Sequence, residues 1–218
     1  ISSLSTDHPS IQMEITNKHN DLRRKVNPSA SNMLKMTWNA EVAKNAEKWA
    51  KKCTLSHSHQ NQGKTGSVAC GENLFMSSDP RSWSDVIQSL YNEVKDFQYG
   101  FGSIRANAET GHYTQLVWAT SHQLGCALAH CPRHTFQYYY VCQYCPPGND
   151  IRTIKTPYKR GKPCGDCPNH CDKGLCKSSV LYVDKYENCT HIRKRKGCDT
   201  TYIETNCPAT CKCPSEMK

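Results

Sequence analysis

Apolar residues are scarce in this chain. Only 37% of its 218 positions are hydrophobic, against roughly 45–50% in ordinary globular domains. Burial alone is therefore a weak source of stability, and another constraint must help hold the fold. No apolar run approaches the ~18 residues needed to cross a bilayer, so no helical membrane span is expected. The opening "ISSLSTDHPS" has neither the basic start nor the apolar centre of a secretory leader, and the numbering is expected to begin at a processed, mature terminus. Gly-x-Ser-x-Gly and His-Glu-x-x-His are both missing, which removes the commonest sequence signs of an α/β-hydrolase serine or a zincin. No nucleophile with an oriented base is evident either, and the chain is not expected to be an enzyme.

What the chain has in quantity is cysteine, fifteen in all. At this density, with so few apolar residues, they read as a disulfide framework made in an oxidising compartment, and the protein is expected to be secreted and extracellular. Two Cys-x-x-Cys pairs, Cys142/Cys145 and Cys164/Cys167, are separated by 18 residues, a spacing that a zinc ribbon also uses. The crowd of neighbouring cysteines favours cystines over the ribbon. Asn188 opens the sequon Asn188-Cys189-Thr190, a glycosylation site consistent with secretion.

Charge and cysteine are unevenly spread. Residues 1–150 carry 14 basic and 12 acidic side chains with six cysteines; residues 151–218 carry 14 basic and 7 acidic with nine cysteines. A near-neutral larger domain is followed by a small, basic, cystine-dense unit. Three amphipathic helices are predicted in the first hundred residues, from "IQMEITNKHNDLRRKV", "AEVAKNAEKWAKKC" and the stretch that "SWSDV" begins, where Ser82 and Asp85 resemble a capping box. The third helix places Glu93 on an apolar stripe with Val86, Leu90 and Phe97, a costly position for an unpaired carboxylate. Strands are predicted for "HYTQLVW", "QLGCALAHC" and "FQYYYVCQYC", which puts His112, directly after Gly111, at the start of a buried strand. Helices followed by strands argue for an α+β layered domain.

Four stretches, "KHNDLRRKVNPSASNMLKMTWN", "CGENLFMSS", "GHYTQLVW" and "YYYVCQYCPPGN", resemble the CAP superfamily in sequence and order. The cystine-rich tail after "TPYKRGKPCGDCP" narrows the resemblance to the cysteine-rich secretory proteins of venoms and of reproductive and salivary secretions. It implies an α-β-α sandwich over residues 1–155, a disulfide-stapled hinge over 156–178 and a small, mostly helical cysteine-rich domain over 179–218. It implies bridges Cys53–Cys131, Cys70–Cys145 and Cys126–Cys142 in the sandwich, Cys164–Cys171 and Cys167–Cys176 in the hinge, and Cys189–Cys207 and Cys198–Cys211 in the tail. The family's further bridge from Cys213 lacks its partner, because Val180 stands at that position. Cys213 is then a free or capped thiol, or a link to a second chain, so the protein is expected as a monomer or as a dimer through Cys213.

The resemblance also implies a cleft in which His57 and His112 face a divalent metal while Glu72 and Glu93 orient ligands behind them. Two imidazoles suit Zn²⁺ at weak to moderate affinity, too weak to be needed for folding. Glu72, after a glycine and a cysteine, is expected on a loop. His19 has the simpler reading of a core histidine with its hydrogen bonds satisfied. For function, the resemblance implies a binding protein whose tail regulates ion channels, in reproductive physiology or as a venom-type protein. The run "HIRKRKGC" adds a basic patch, Arg193, Lys194, Arg195 and Lys196, which suits an acidic channel mouth, a cell-surface protein or a heparin-like polyanion. Binding of a sterol or lipid, or of a gamete or other cell-surface protein, by the sandwich is the alternative, a metal-dependent hydrolase a remote one, and nucleic acid is not expected as a partner.

Overall fold

A computed structural model describes residues 2–58, 64–65 and 68–177, with backbone alone at 64–65 and 68–69. Asn188, the basic run at 193–196, Val180, Cys213 and the bridges expected for Cys189–Cys207 and Cys198–Cys211 lie outside the described residues.

Helix α1 (Pro9–Arg24) starts on a proline, whose missing N–H costs nothing in a first turn. It buries Ile15, His19, Leu22 and Arg23. A short strand β1 (Thr37–Trp38) leads into α2 (Ala40–Ala50). Asn39 caps α2 by accepting from the N–H groups of Glu41 and Val42. The small hairpin β2 (Lys64–Thr65) and β3 (Val68–Ala69) precedes β4 (Gly71–Ser77). Helix α3 (Trp83–Tyr91) is capped by Ser82, whose hydroxyl accepts from Asp85 N–H. The predicted third helix ends early, giving way to a 3-10 turn over Asn92–Asp96 that carries Glu93. A tight hairpin follows, β5 (Phe97–Gln98) and β6 (Gly102–Ser103).

Gly111–Leu116 is a helix, α4, and not the strand expected from "HYTQLVW". Tyr113, Thr114, Gln115 and Leu116 are all buried, and a short run buried on every side has no period that separates helix from strand. The strands β7 (Gln123–His130) and β8 (Tyr138–Cys145) then form the sheet's centre. Glu72 is likewise in a strand, β4, and not on a loop. Two short strands, β9 (Cys171–Asp172) and β10 (Leu175–Cys176), close the described chain.

The main sheet has the order β1-β7-β8-β4, with β1 parallel to β7 and the other pairs antiparallel. Both faces are covered, so β8 reads as a nearly continuous buried run. Tyr140, Cys142 and Tyr144 join the core formed with α1, α3 and α4. Their neighbours Tyr139 and Val141 join a second core with Ala46 and Trp49 of α2. This is an α-β-α sandwich. Gly125 marks the close approach of α2: a Cβ there would lie 2.1 Å from the backbone nitrogen of Ala43.

Among the described residues, five disulfides join Cys53–Cys131, Cys70–Cys145, Cys126–Cys142, Cys164–Cys171 and Cys167–Cys176. Bridges that close long loops, here with separations of 78 and 75 residues, typically contribute about 2–4 kcal/mol each. They supply what the small apolar fraction does not. The segment after the sandwich is not a loose tether. Its backbone pairs with the 29–35 loop through Ser31 N to Lys159 O, Gly161 N to Ser29 O and Cys176 N to Met33 O, and Lys35 forms an ion pair with Asp172.

Candidate metal centre

Helix α4 and the 3-10 turn after α3 meet at His112 and Glu93. The His112 Nδ1–H donates to Glu93 Oε1 at 2.6 Å. The other oxygen, Oε2, accepts from Tyr113 N–H at 2.9 Å, satisfying a donor at the start of α4 that the helix itself leaves unpaired. Glu93 is thus paired, which explains how a carboxylate is tolerated beside an apolar stripe. The hydrogen bond from His112 to Glu93 raises the imidazole's pKa above its ordinary value; burial works against the rise, and the charges of Glu93 and Glu109 add to it. Asn73 Nδ2 fixes the start of α4 from below by donating to the His112 carbonyl at 3.0 Å.

Glu109 completes a group that sequence reasoning missed. One ligand atom each from Glu93, Glu109 and His112 lies within 4.8 Å of the others. The available signal was a carboxylate three residues before His112, in "ETGH". With Nδ1 held by Glu93, His112 Nε2 has no hydrogen-bond partner among the described residues. That is the arrangement in which a carboxylate fixes a histidine's tautomer and leaves the other nitrogen for a metal.

His57 and Glu72 form a second pair. Glu72, whose side chain is 7% exposed, accepts from His57 Nδ1 at 3.1 Å. It also accepts from Ser58 N–H at 2.9 Å, Ser58 Oγ at 2.9 Å and Gln143 Nε2 at 3.0 Å. Burial pushes the Glu72 carboxyl up, but these four hydrogen bonds outweigh it and hold the group below the ordinary carboxylate value. A carboxylate so fully engaged clamps the 55–58 loop onto β4; the His57 ring is 63% exposed.

Strand alternation puts Glu72 and Asn73 on opposite faces of β4. Glu72 is the register partner of Gln143, on the α2 face with Tyr139 and Val141. Asn73 is on the opposite face, where its amide reaches Tyr144 and the His112 carbonyl. No hydrogen bond among the described residues joins His57–Glu72 to Glu93–His112, and the three-donor group contains neither His57 nor Glu72. His19 lies apart from both. Its Nδ1–H donates to Ile15 O and its Nε2 faces the Tyr144 hydroxyl, so the ring is neutral, and burial depresses its pKa to about 4.

Two family profiles match the chain in tandem: "CAP: Cysteine-rich secretory protein family" over residues 16–144 and "Crisp" over 164–218. The chain belongs to the cysteine-rich secretory protein family. It is 52% identical over 216 residues to human "Cysteine-rich secretory protein 2", covering 99% of this chain and 88% of that one. The Cavia porcellus protein of the same name matches at the same identity and coverage. Among solved structures, the family's sandwich is matched by "NaASP2 with Zn2+", with 32% identity, TM-score 0.63, and coverage of 78% of this chain and 96% of that one. "Na-ASP-1" gives a TM-score of 0.64 at 31% identity over 77% of this chain, which spans about half (47%) of Na-ASP-1. The zinc named with NaASP2 belongs to that relative. In this member, the donor set of one imidazole and two carboxylates fits a divalent cation.

Proposed function

We propose that this chain is a secreted binding protein with no catalytic role, whose Crisp module regulates an ion channel and whose sandwich domain carries an accessory divalent-cation site. The tandem match of the two family profiles is the observation that carries the first part. The disulfides support export to an oxidising compartment, and no helix among the described residues is long and apolar enough to cross a membrane. The docking of residues 159–176 onto the sandwich supports a presenting role: the module's first strands start from a fixed base. The basic run at 193–196 would approach an acidic channel mouth or a cell-surface protein.

The test is patch-clamp recording with the full chain and a full-chain variant in which Arg193, Lys194, Arg195 and Lys196 become glutamine. Modulation of a channel by the wild type and its loss in the variant support the reading. Silence of the wild type across calcium, potassium and cyclic-nucleotide-gated channels would sink it.

For the cation site we take His112 Nε2 and Glu109 as the metal-facing donors, with Glu93 orienting the ring. Bound there, Zn²⁺ would supply a positive centre at the mouth of α4; this chain's residues hold and orient it. Calorimetric zinc titration should show at least ten-fold weaker binding in Glu109→Gln and His112→Ala. His57→Ala should bind as the wild type does, because His57 lies outside the three-donor group. Loss of binding in His57→Ala with Glu109→Gln unaffected would return the site to the two-histidine arrangement.

A further inference from the structure

The β5–β6 hairpin carries apolar side chains that the fold leaves in water. Phe101 is 61% exposed and Ile104 is 51% exposed; Ile151, on the strap after the sandwich, is 88% exposed. The hairpin and the strap are neighbours. Gly100 N–H donates to Lys155 O at 2.8 Å, and Tyr99 and Asp150 line one groove of about 660 Å³. The other side of the turn is open: Gly100 has φ +82°, and a Cβ there would meet nothing within 4 Å.

The hairpin is firmly held at its base. The Tyr99 hydroxyl donates to Tyr158 O at 2.7 Å, and the two rings lie 5.0 Å apart. Arg105 grips Asp96 through two hydrogen bonds of 2.8 and 2.7 Å. A rigid base with an exposed phenylalanine and isoleucine presents a preformed apolar tip.

Its surroundings are basic. Residues 95–105 and 150–162 contain seven lysines and arginines against two carboxylates. Both carboxylates are already neutralised, Asp96 by Arg105 and Asp150 by Arg152. Lys155 and Arg160 make no ion pair among the described residues, and the Lys155 stem lies against Gly102 of the hairpin. Exposed apolar side chains on a hairpin and strap that also carry the unpaired cations Lys155 and Arg160 match the interface of an anionic bilayer, where acyl boundary and phosphate headgroups lie a few ångströms apart.

We propose that the β5–β6 hairpin and the 150–162 strap form a docking surface for anionic phospholipid membranes. This surface shares no residue with the cation site or with the basic run at 193–196. It would concentrate the protein on a cell surface whatever channel or receptor it then meets.

The test is flotation of the full-length protein with vesicles of phosphatidylcholine alone and of phosphatidylcholine with phosphatidylserine. Wild type should bind the anionic vesicles at least ten-fold better. Phe101→Ser with Ile104→Ser and Ile151→Ser should lose at least ten-fold on anionic vesicles. Lys155→Glu with Arg160→Glu should lose on the order of five-fold per cation. Since a serine variant could fail through misfolding, Phe101→Trp gives an independent readout: its emission should shift to the blue and be quenched by brominated lipid. Equal binding to both vesicle types would overturn the proposal. So would undiminished binding by the triple serine variant together with unshifted emission from Phe101→Trp, which would mark a polyanion or protein site in place of a membrane one.

Discussion

Arg23 is fully buried, with no carboxylate partner among the described residues. Its guanidinium donates only to main-chain carbonyls, those of Leu34, Leu116, Trp118, Ala119 and Ser121. Burial lowers its pKa to about 9. One side chain thereby ties α1 to the loop after α4, where Leu34 N–H also donates to Ala119 O and Ser121 N–H to Trp118 O. Arg23→Leu would strip the guanidinium donor from all five carbonyls, and we expect a loss of about 3–5 kcal/mol in denaturant unfolding. A loss below about 1 kcal/mol would show that water or a rearranged loop replaces the guanidinium. His19 makes a different prediction. Its folded pKa, about 4, lies below the ordinary 6.5, so the unfolded chain binds the extra proton. Its contribution to stability is complete above pH 6.5 and falls as the pH drops toward 4. Wild type should lose stability over that window, and His19→Gln should show a flatter slope there; identical slopes would clear His19 of any part in acid unfolding.

At the scale of elements, what is legible in sequence depends on whether a segment has one covered face or two. The face of α2 through Val42, Ala46 and Trp49 is visible as a period because its other side meets water. Ser82 is visible as a cap because its hydroxyl has one geometric task. Gly111–Leu116 is not visible as a helix, since it is enclosed by the 3-10 turn, β4 and Asn149. The oddness of Glu93 and His112 can be read locally, one in an apolar stripe and the other after a glycine. Their meeting depends on α3 breaking into a 3-10 turn, which no local pattern announces. Glu109 goes unnoticed for the same reason: an exposed carboxylate is ordinary until the fold brings it near a histidine. Gly125 tests the packing of α2 on β7. With a Cβ forced to 2.1 Å from Ala43 N, Gly125→Val must lift the helix, and we expect a loss of at least about 3 kcal/mol. A midpoint unchanged in thermal unfolding would mean that α2 can shift without cost.

At the scale of the whole molecule, disulfides and metal have separate parts. Cystines hold the sandwich and the segment docked on it, and we expect the fold not to need a cation. The three-donor group sits at the start of one short helix and spans residues 93–112 only, so a bound ion would tie together elements that the core already fixes. A ligand that binds only the folded state stabilises it by mass action, by about 2.7 kcal/mol at a hundred times its dissociation constant. For a chain of this size that corresponds to a rise in Tm on the order of 5–10 °C. We therefore expect chelator-treated protein to keep its near-ultraviolet circular dichroism and cooperative unfolding, and zinc to raise its Tm by that amount. The rise should vanish in His112→Ala. It should also fade as the pH drops, because the hydrogen bond and charges that raise the pKa of His112 favour the proton that competes with the metal. A collapse of the fold on chelation would make the cation structural, and the division between disulfide framework and accessory metal would fail with it.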